Sequence, residues 1–138
     1  MVITAVLSFA AFRFFDRATF DARGYADEIS SMLRFAQKEA IAKRRNVCVN
    51  VAAGNVTLSF SAASGAACDP VAANNTALAA PNGDASFSRN APSGITLAPA
   101  GSFSFDPLGR PSAGQAITVT GDGARVITVE AETGYVHY

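Results

Sequence analysis

"DARGYADEISSMLRFAQKEAIAKRRNVCVNVAAGNVTLSF", residues 21–60, changes its hydrophobic period part-way along. Up to Ile41 the apolar side chains Tyr25, Ile29, Met32, Leu33, Ala36, Ala40 and Ile41 recur at spacings of three and four. Asp27, Glu28, Arg34, Lys38 and Glu39 stand between them, and this predicts a helix with one packed face over 25–45. Acidic residues lie toward its start and Lys43, Arg44 and Arg45 at its end, the arrangement that complements the helix dipole. After Asn46 the period becomes two. Val47, Val49 and Val51 fall on one face of a strand, Val56, Leu58 and Phe60 on one face of the next, and Gly54-Asn55 supplies a hairpin turn. A helix therefore feeds directly into antiparallel strands.

Upstream, residues 1–12 carry no charge, and the apolar character of the segment continues to residue 15 with Arg13 as the interruption. Ile3, Val6, Leu7, Phe9 and Phe12 are spread all round a helix, followed by Phe14 and Phe15, and such a helix needs lipid or a protein core. At about 1.5 Å per residue the uncharged run covers roughly 18 Å, against the roughly 30 Å of a bilayer's hydrocarbon layer. A buried helix and part of a membrane helix are both compatible with it. Gly24 is the one weak point between this segment and the amphipathic helix, as a kink or a short break.

Downstream, residues 62–94 form a long excursion of small residues and turn formers with a short strand around Phe87. Strand patterns resume in "GITLAP", "SFSFDP", "AITVT" and "ARVITVE", the last two joined by Gly121-Asp122-Gly123, and "GYVHY" closes the series. The chain divides into a helical part, 1–45, and a β-rich part, 46–138, within a single structural unit of α+β class.

Eleven Lys/Arg balance eleven Asp/Glu among 138 residues, so net charge points to no nucleic-acid or membrane-surface partner. Residues 1–45 are mildly basic and the remainder mildly acidic. Cys48 lies in the first strand and Cys68 in the excursion. A bond between them closes about twenty residues and stabilises by roughly 3 kcal/mol in the chain-entropy model, in an oxidising compartment. Two free thiols are the alternative, and a catalytic thiol lacks a base beside it.

The search for chemistry yields no metal cluster, no phosphate loop and no cofactor motif. Asp27-Glu28 and Glu130/Glu132 read as solvated acids, and the single histidine, His137, as a strand-edge residue. No enzyme is expected. The most distinctive loop is "FDPLGRPS", residues 105–112, in which Pro107 and Gly109 shape a turn that presents Arg110. The fork of Arg110 suits a phosphate or a partner's carboxylate; the alternative is a structural arginine bonded to local backbone carbonyls.

The order of elements, with "DARGYADEISSMLRFAQKEAIAKRRNVCV", "FSFDPLGRPS" and "ITVEAETGYVH", resembles the minor pilins and pseudopilins of the GspH/FimT family, and within it the branch that serves MSHA pili. The resemblance implies the type IV pilin fold, a long N-terminal helix packed on an antiparallel β-sheet domain. It also implies a structural subunit, without cofactor or small-molecule substrate, whose partners are other major and minor pilins or pseudopilins.

Family members carry a leader cut before a Phe, with a Glu soon after, inside one long apolar helix; this sequence begins beyond those residues. On that reading Ile3, Val6, Leu7, Phe9, Phe12, Phe14 and Phe15 belong to the half-helix that lies in the bacterial inner membrane and later in the filament core. The β-rich part would fold in the periplasm before incorporation into a pilus or a type II secretion pseudopilus. Some relatives bind DNA through a basic loop of the form Gly-Arg-x-Arg. Here Ser112 replaces the second arginine of "GRPS", so DNA contact through Arg110 is not the favoured expectation.

Overall fold

The computed structural model describes the backbone from Val2 and the side chains from Asp21 to Tyr138. Helix α1 runs Val2–Lys43, unbroken through Gly24, and at about 1.5 Å per residue it is roughly 63 Å long. Its predicted face is the buried one: Tyr25, Ile29, Met32, Leu33, Ala36 and Ala40 are almost fully excluded from solvent. Ile41, at the end of the stripe, is instead 49% exposed. Burying each large aliphatic side chain of that stripe stabilises by about 1.5–3 kcal/mol, which explains why this face and no other meets the sheets. The helix ends with Arg44 in the left-handed region (φ 51°) and the Arg45 amide donating back to the Ala40 carbonyl at 3.3 Å, a Schellman-type closure.

Nine antiparallel strands follow: β1 Val47–Ala52, β2 Asn55–Phe60, β3 Thr76–Ala77, β4 Phe87–Asn90, β5 Thr96–Ala98, β6 Gly101–Phe105, β7 Gln115–Thr120, β8 Ala124–Val129 and β9 Val136–His137. The first hairpin pairs Ala52 with Asn55, so its two loop residues are Ala53-Gly54, one position earlier than the pattern suggests. The strands divide between two sheets. One has the order β3-β2-β1-β6, with β4 also on β2; the other has the order β5-β7-β8-β9. The division arises because β6 returns to β1, placing Phe105 opposite Val47 and Phe103 opposite Val49.

The inward faces follow the period of two. Val47, Val49, Val51, Val56, Leu58, Phe103 and Phe105 come from the first sheet, and Leu97, Ile117, Val119, Ile127, Val129 and Val136 from the second, all buried with the helix stripe in one core. Strand edges are engaged by other parts of the chain. The Leu97 amide of β5 donates to the Ala53 carbonyl at 2.9 Å, the Ser112 amide donates to the Ser104 carbonyl of β6 at 2.7 Å, and Pro111 bridges Phe105. The helix supplies two further contacts: Tyr25 Oη donates to the Arg89 carbonyl of β4, and Arg34 Nη2 to the Val136 carbonyl of β9, both at 3.1 Å.

Candidate functional site

The three segments that stand out in the sequence meet at one side chain. Gln37, on the helix, donates from its amide nitrogen to the carbonyls of Gly109 and Thr133, each at 2.9 Å, and so joins the "FDPLGRPS" turn to the "ETGYVH" turn. Sequence reasoning singles out the first as a turn and the second only as a segment that resembles the family, and it passes over Gln37, because a glutamine on a helix carries no pattern of its own.

Each turn is built to hold its shape. In the first, Asp106 Oδ1 accepts from the amides of Leu108 and Arg110, both at 2.9 Å, while Oδ2 accepts from Arg110 Nε at 3.2 Å. Partial burial pushes the Asp106 carboxyl up, but the backbone donors of Arg110 and Leu108, with the charge of Arg110, outweigh it and hold the group below the usual aspartate range. In the second, the Gly134 amide donates to the Glu130 carbonyl at 2.8 Å and the Glu130 amide to the Tyr135 carbonyl at 3.0 Å.

Glycine is required where the turns touch. Gly109 (φ 81°) and Gly134 (φ 70°) both lie in the left-handed region; a Cβ on Gly109 would meet the Ile41 side chain at 2.8 Å, and one on Gly134 would run into the Gly109 carbonyl. Around this junction stand apolar side chains left in solvent: Leu108 at 72% exposure, Tyr135 at 62% and Ile41 at 49%. Rigid turns carrying exposed apolar tips make a surface suited to contact with another protein, and nothing in it transfers a proton or a group.

Next to this surface the C-terminal segment closes over the helix. Tyr138 Oη donates to Asp27 Oδ1, and the Arg125 guanidinium lies 5.1 Å from the Tyr138 ring centre. Burial and then the Asp27 carboxylate push the Tyr138 phenol up to about 12. His137 stacks on Tyr135 at 5.2 Å, and its Nε2 lies 2.6 Å from Glu130 Oε1. A further tie is the ion pair of Glu28 with Arg89 at 2.5 Å. Tyr25 Oη bonds to the Arg89 backbone, and its phenol is also raised to about 12 by burial and then by Glu28.

The remaining candidates are placed as follows. The Nε of Arg110 pairs with the Asp106 carboxylate of its own turn, and its side chain is 55% exposed. Cys48 and Cys68 are bonded, with Cα atoms 5.8 Å apart. At the helix end Arg45 Nη2 donates to the Ser61 carbonyl and its guanidinium lies 5.2 Å from the Phe60 ring centre, whereas Lys43 and Arg44 are exposed. Ile3, Val6, Leu7, Phe9, Phe12, Phe14 and Phe15 lie outside the residues whose side chains are described. Among the described residues no helix is long and apolar enough to cross a membrane, and no group of His, Cys, Asp and Glu is arranged to hold a metal ion.

Residues 25–133 match the family described as Type II transport protein GspH. The chain belongs to the GspH family. The match takes in the helix stripe, the first turn and the three residues whose groups form the Gln37 junction, Gln37, Gly109 and Thr133, and it stops before Gly134. No curated protein matches the sequence significantly. Among solved structures, two crystal forms of the Pseudomonas aeruginosa (strain PAO1) type IV minor pilin FimU superpose on this chain. The form in space group P65 has a TM-score of 0.56 at 16% identity, covering 83% of this chain and 90% of FimU. The P21 form has a TM-score of 0.57 at 15% identity, covering 91% and 90%. The fold is the type IV pilin fold, α+β, with one N-terminal helix on antiparallel sheets. A GspH-family chain of this fold is a structural subunit of pilin or pseudopilin type and not an enzyme.

Proposed function

We propose that this GspH-family chain is a minor subunit of a type IV filament of MSHA type, incorporated in an initiating or tip complex with other minor pilins. The single observation that carries this reading is the Gln37 junction. It fixes the two most distinctive turns on the helix and leaves Ile41, Leu108 and Tyr135 in solvent, as a subunit that contacts neighbours requires. The "FSFDPLGRPS" and "ITVEAETGYVH" segments that meet there are also those most similar to the MSHA branch.

The division of labour follows the sequence. Residues 1–15, apolar on every side, serve as membrane anchor in the inner membrane before assembly and as filament-core helix afterwards, an exchange of one apolar surrounding for another. Residues 46–138 are the periplasmic domain, and the Cys48–Cys68 bond fits that oxidising compartment. Duplex DNA is not part of this reading, since Arg110 stands beside the Asp106 carboxylate.

The test is mass spectrometry of sheared surface filaments from the native cell, searched for peptides of this chain and for a processed, N-methylated phenylalanine at its N-terminus. Its presence in surface pili at low stoichiometry supports the proposal. Recovery only with a secretion machine's pseudopilins moves the chain to type II secretion, and recovery only as an unprocessed periplasmic monomer overturns the filament reading.

A further inference from the structure

The outward face of the first sheet carries no charge and consists of hydroxyl and amide side chains with the disulfide and small alanines between them. Where β1 turns Val47, Val49 and Val51 inward, it turns Cys48 and Asn50 outward, and the register extends the pattern across the sheet. One row runs Ser102–Asn50–Thr57–Ser88 over four strands, and the next runs Ser104–Cys48–Ser59. Thr57 and Ser88 bond to each other at 3.0 Å. The side chains of Asn50, Ser59, Ser102 and Ser104 bond to no other described protein group.

These four groups floor a trough of about 260 Å³, walled by the segment that Cys68 ties to Cys48. The wall is preformed. Asp69 Oδ1 accepts from the Val71 amide at 2.7 Å and Oδ2 from Asn74 Nδ2 at 3.1 Å, while Asn75 bonds both the amide and the carbonyl of Asp69 at 3.0 Å. Its inner surface includes Ala67, Pro70 and the disulfide, all apolar.

The chemistry of the lining selects its ligand. No Lys, Arg or His lines the trough, so an anion finds no counter-charge, and the oxygens of its one acid, Asp69, are already engaged within the loop. A peptide strand would need a free backbone edge, but β6 is covered there by Ser112 and Pro111. What remains are hydroxyls and an amide that both donate and accept, facing an apolar wall. A pyranose ring has that same duality, with hydroxyls at its rim and C–H groups on its faces. We propose that this trough is a binding site for a neutral saccharide, with Asn50, Ser102 and Ser104 reading hydroxyls while the Pro70 side of the loop covers a ring face. The site is independent of the filament assignment and lies on a different surface from the Gln37 junction.

The test is a titration of the isotope-labelled, oxidised full chain by NMR, in a detergent without a sugar headgroup. The probes are neutral trisaccharides of glucose, galactose, mannose and N-acetylglucosamine, each taken to about 50 mM. At least one should give saturable shifts at the amides of Asn50, Ser102 and Ser104, with a dissociation constant on the order of 1 mM, since the contacts are few and partly exposed. Asn50→Ala should weaken binding about fivefold or more, by loss of a bidentate partner. Ser102→Tyr, which fills the trough from an exposed position, should abolish the shifts while leaving the remaining spectrum in place. Absence of saturable shifts with every probe, shifts that persist in Ser102→Tyr, or salt-sensitive binding of a sulfated sugar in place of the neutral ones would each overturn the proposal.

Discussion

Gly134 lies against the carbonyl of Gly109 so closely that no side chain fits between them. The same carbonyl accepts from Gln37, so helix and both turns share one atom. Replacing Gly134 by Ala adds a clash to a positive φ, and the variant should lose roughly 2–4 kcal/mol of stability. Gln37→Ala removes two hydrogen bonds without a clash and should cost about 1–2 kcal/mol. Urea unfolding of the two variants against wild type checks both the order and the size.

Ser30 offers a change in the opposite direction. Its hydroxyl is buried at 3% exposure on the packed helix face and has no hydrogen-bond partner among the described residues. Ser30→Ala removes an unsatisfied polar atom and inserts the best helix former, so stability should rise by about 1 kcal/mol. A lower unfolding midpoint would show that the hydroxyl is bonded after all.

Arg44 closes the helix in a left-handed conformation that glycine adopts without penalty. Arg44→Gly should raise stability by about 0.5–1 kcal/mol, and Arg44→Val, branched at the same φ, should lower it by a similar amount. Thermal melts of the pair decide it.

Reduction of the Cys48–Cys68 bond, or its replacement by two serines, reopens a loop of sequence separation 20. Stability should fall by about 3 kcal/mol in the chain-entropy model. Because the bonded loop also walls the trough, saccharide shifts should vanish in the reduced chain while the core spectrum around Ile29 and Ile127 persists.

His137 gives the chain a pH-dependent contact. The hydrogen bond to Glu130, together with that to the Tyr138 carbonyl, raises the imidazole above its usual 6.5. A raised folded-state value means that the stabilisation is fully present below the unfolded value and is lost as pH rises through the folded one. An NMR titration should find the His137 midpoint above 6.5 in wild type and lower in Glu130→Gln, with the stability difference between the two disappearing at alkaline pH.

How much of this was legible in the sequence depends on the range of the interaction. The helix stripe from Tyr25 to Ala40 and the hairpin of Val49 and Leu58 are local periodicities, and both are found where the spacing puts them. The hairpin loop shifts by one residue because register follows the buried valines, not the preference of Asn55 for a turn. The split into two sheets was not legible: nothing within "SFSF" says that Phe105 pairs with Val47 and not with the strands that follow it. Of the candidate site, the first turn is legible through Pro107 and Gly109, whereas the turn at Gly134 is hidden in a segment read as a closing strand. The partners that join elements, Gln37 to Gly109 and Glu28 to Arg89, link residues far apart in sequence and leave no local mark.

The engaged strand edges have a bearing on how such a chain avoids self-association of the wrong kind. Ser112 with Pro111 beside β6, Ala53 beside β5, Tyr25 at β4 and Arg34 at β9 each occupy backbone groups that would otherwise template a strand from another copy. A subunit of pilin or pseudopilin type packs against other such subunits, and crowding raises every illicit contact along with the intended ones. With backbone groups of β4, β5, β6 and β9 already taken, amyloid-like growth through backbone ladders is obstructed there, and neighbouring subunits are left to meet through side chains.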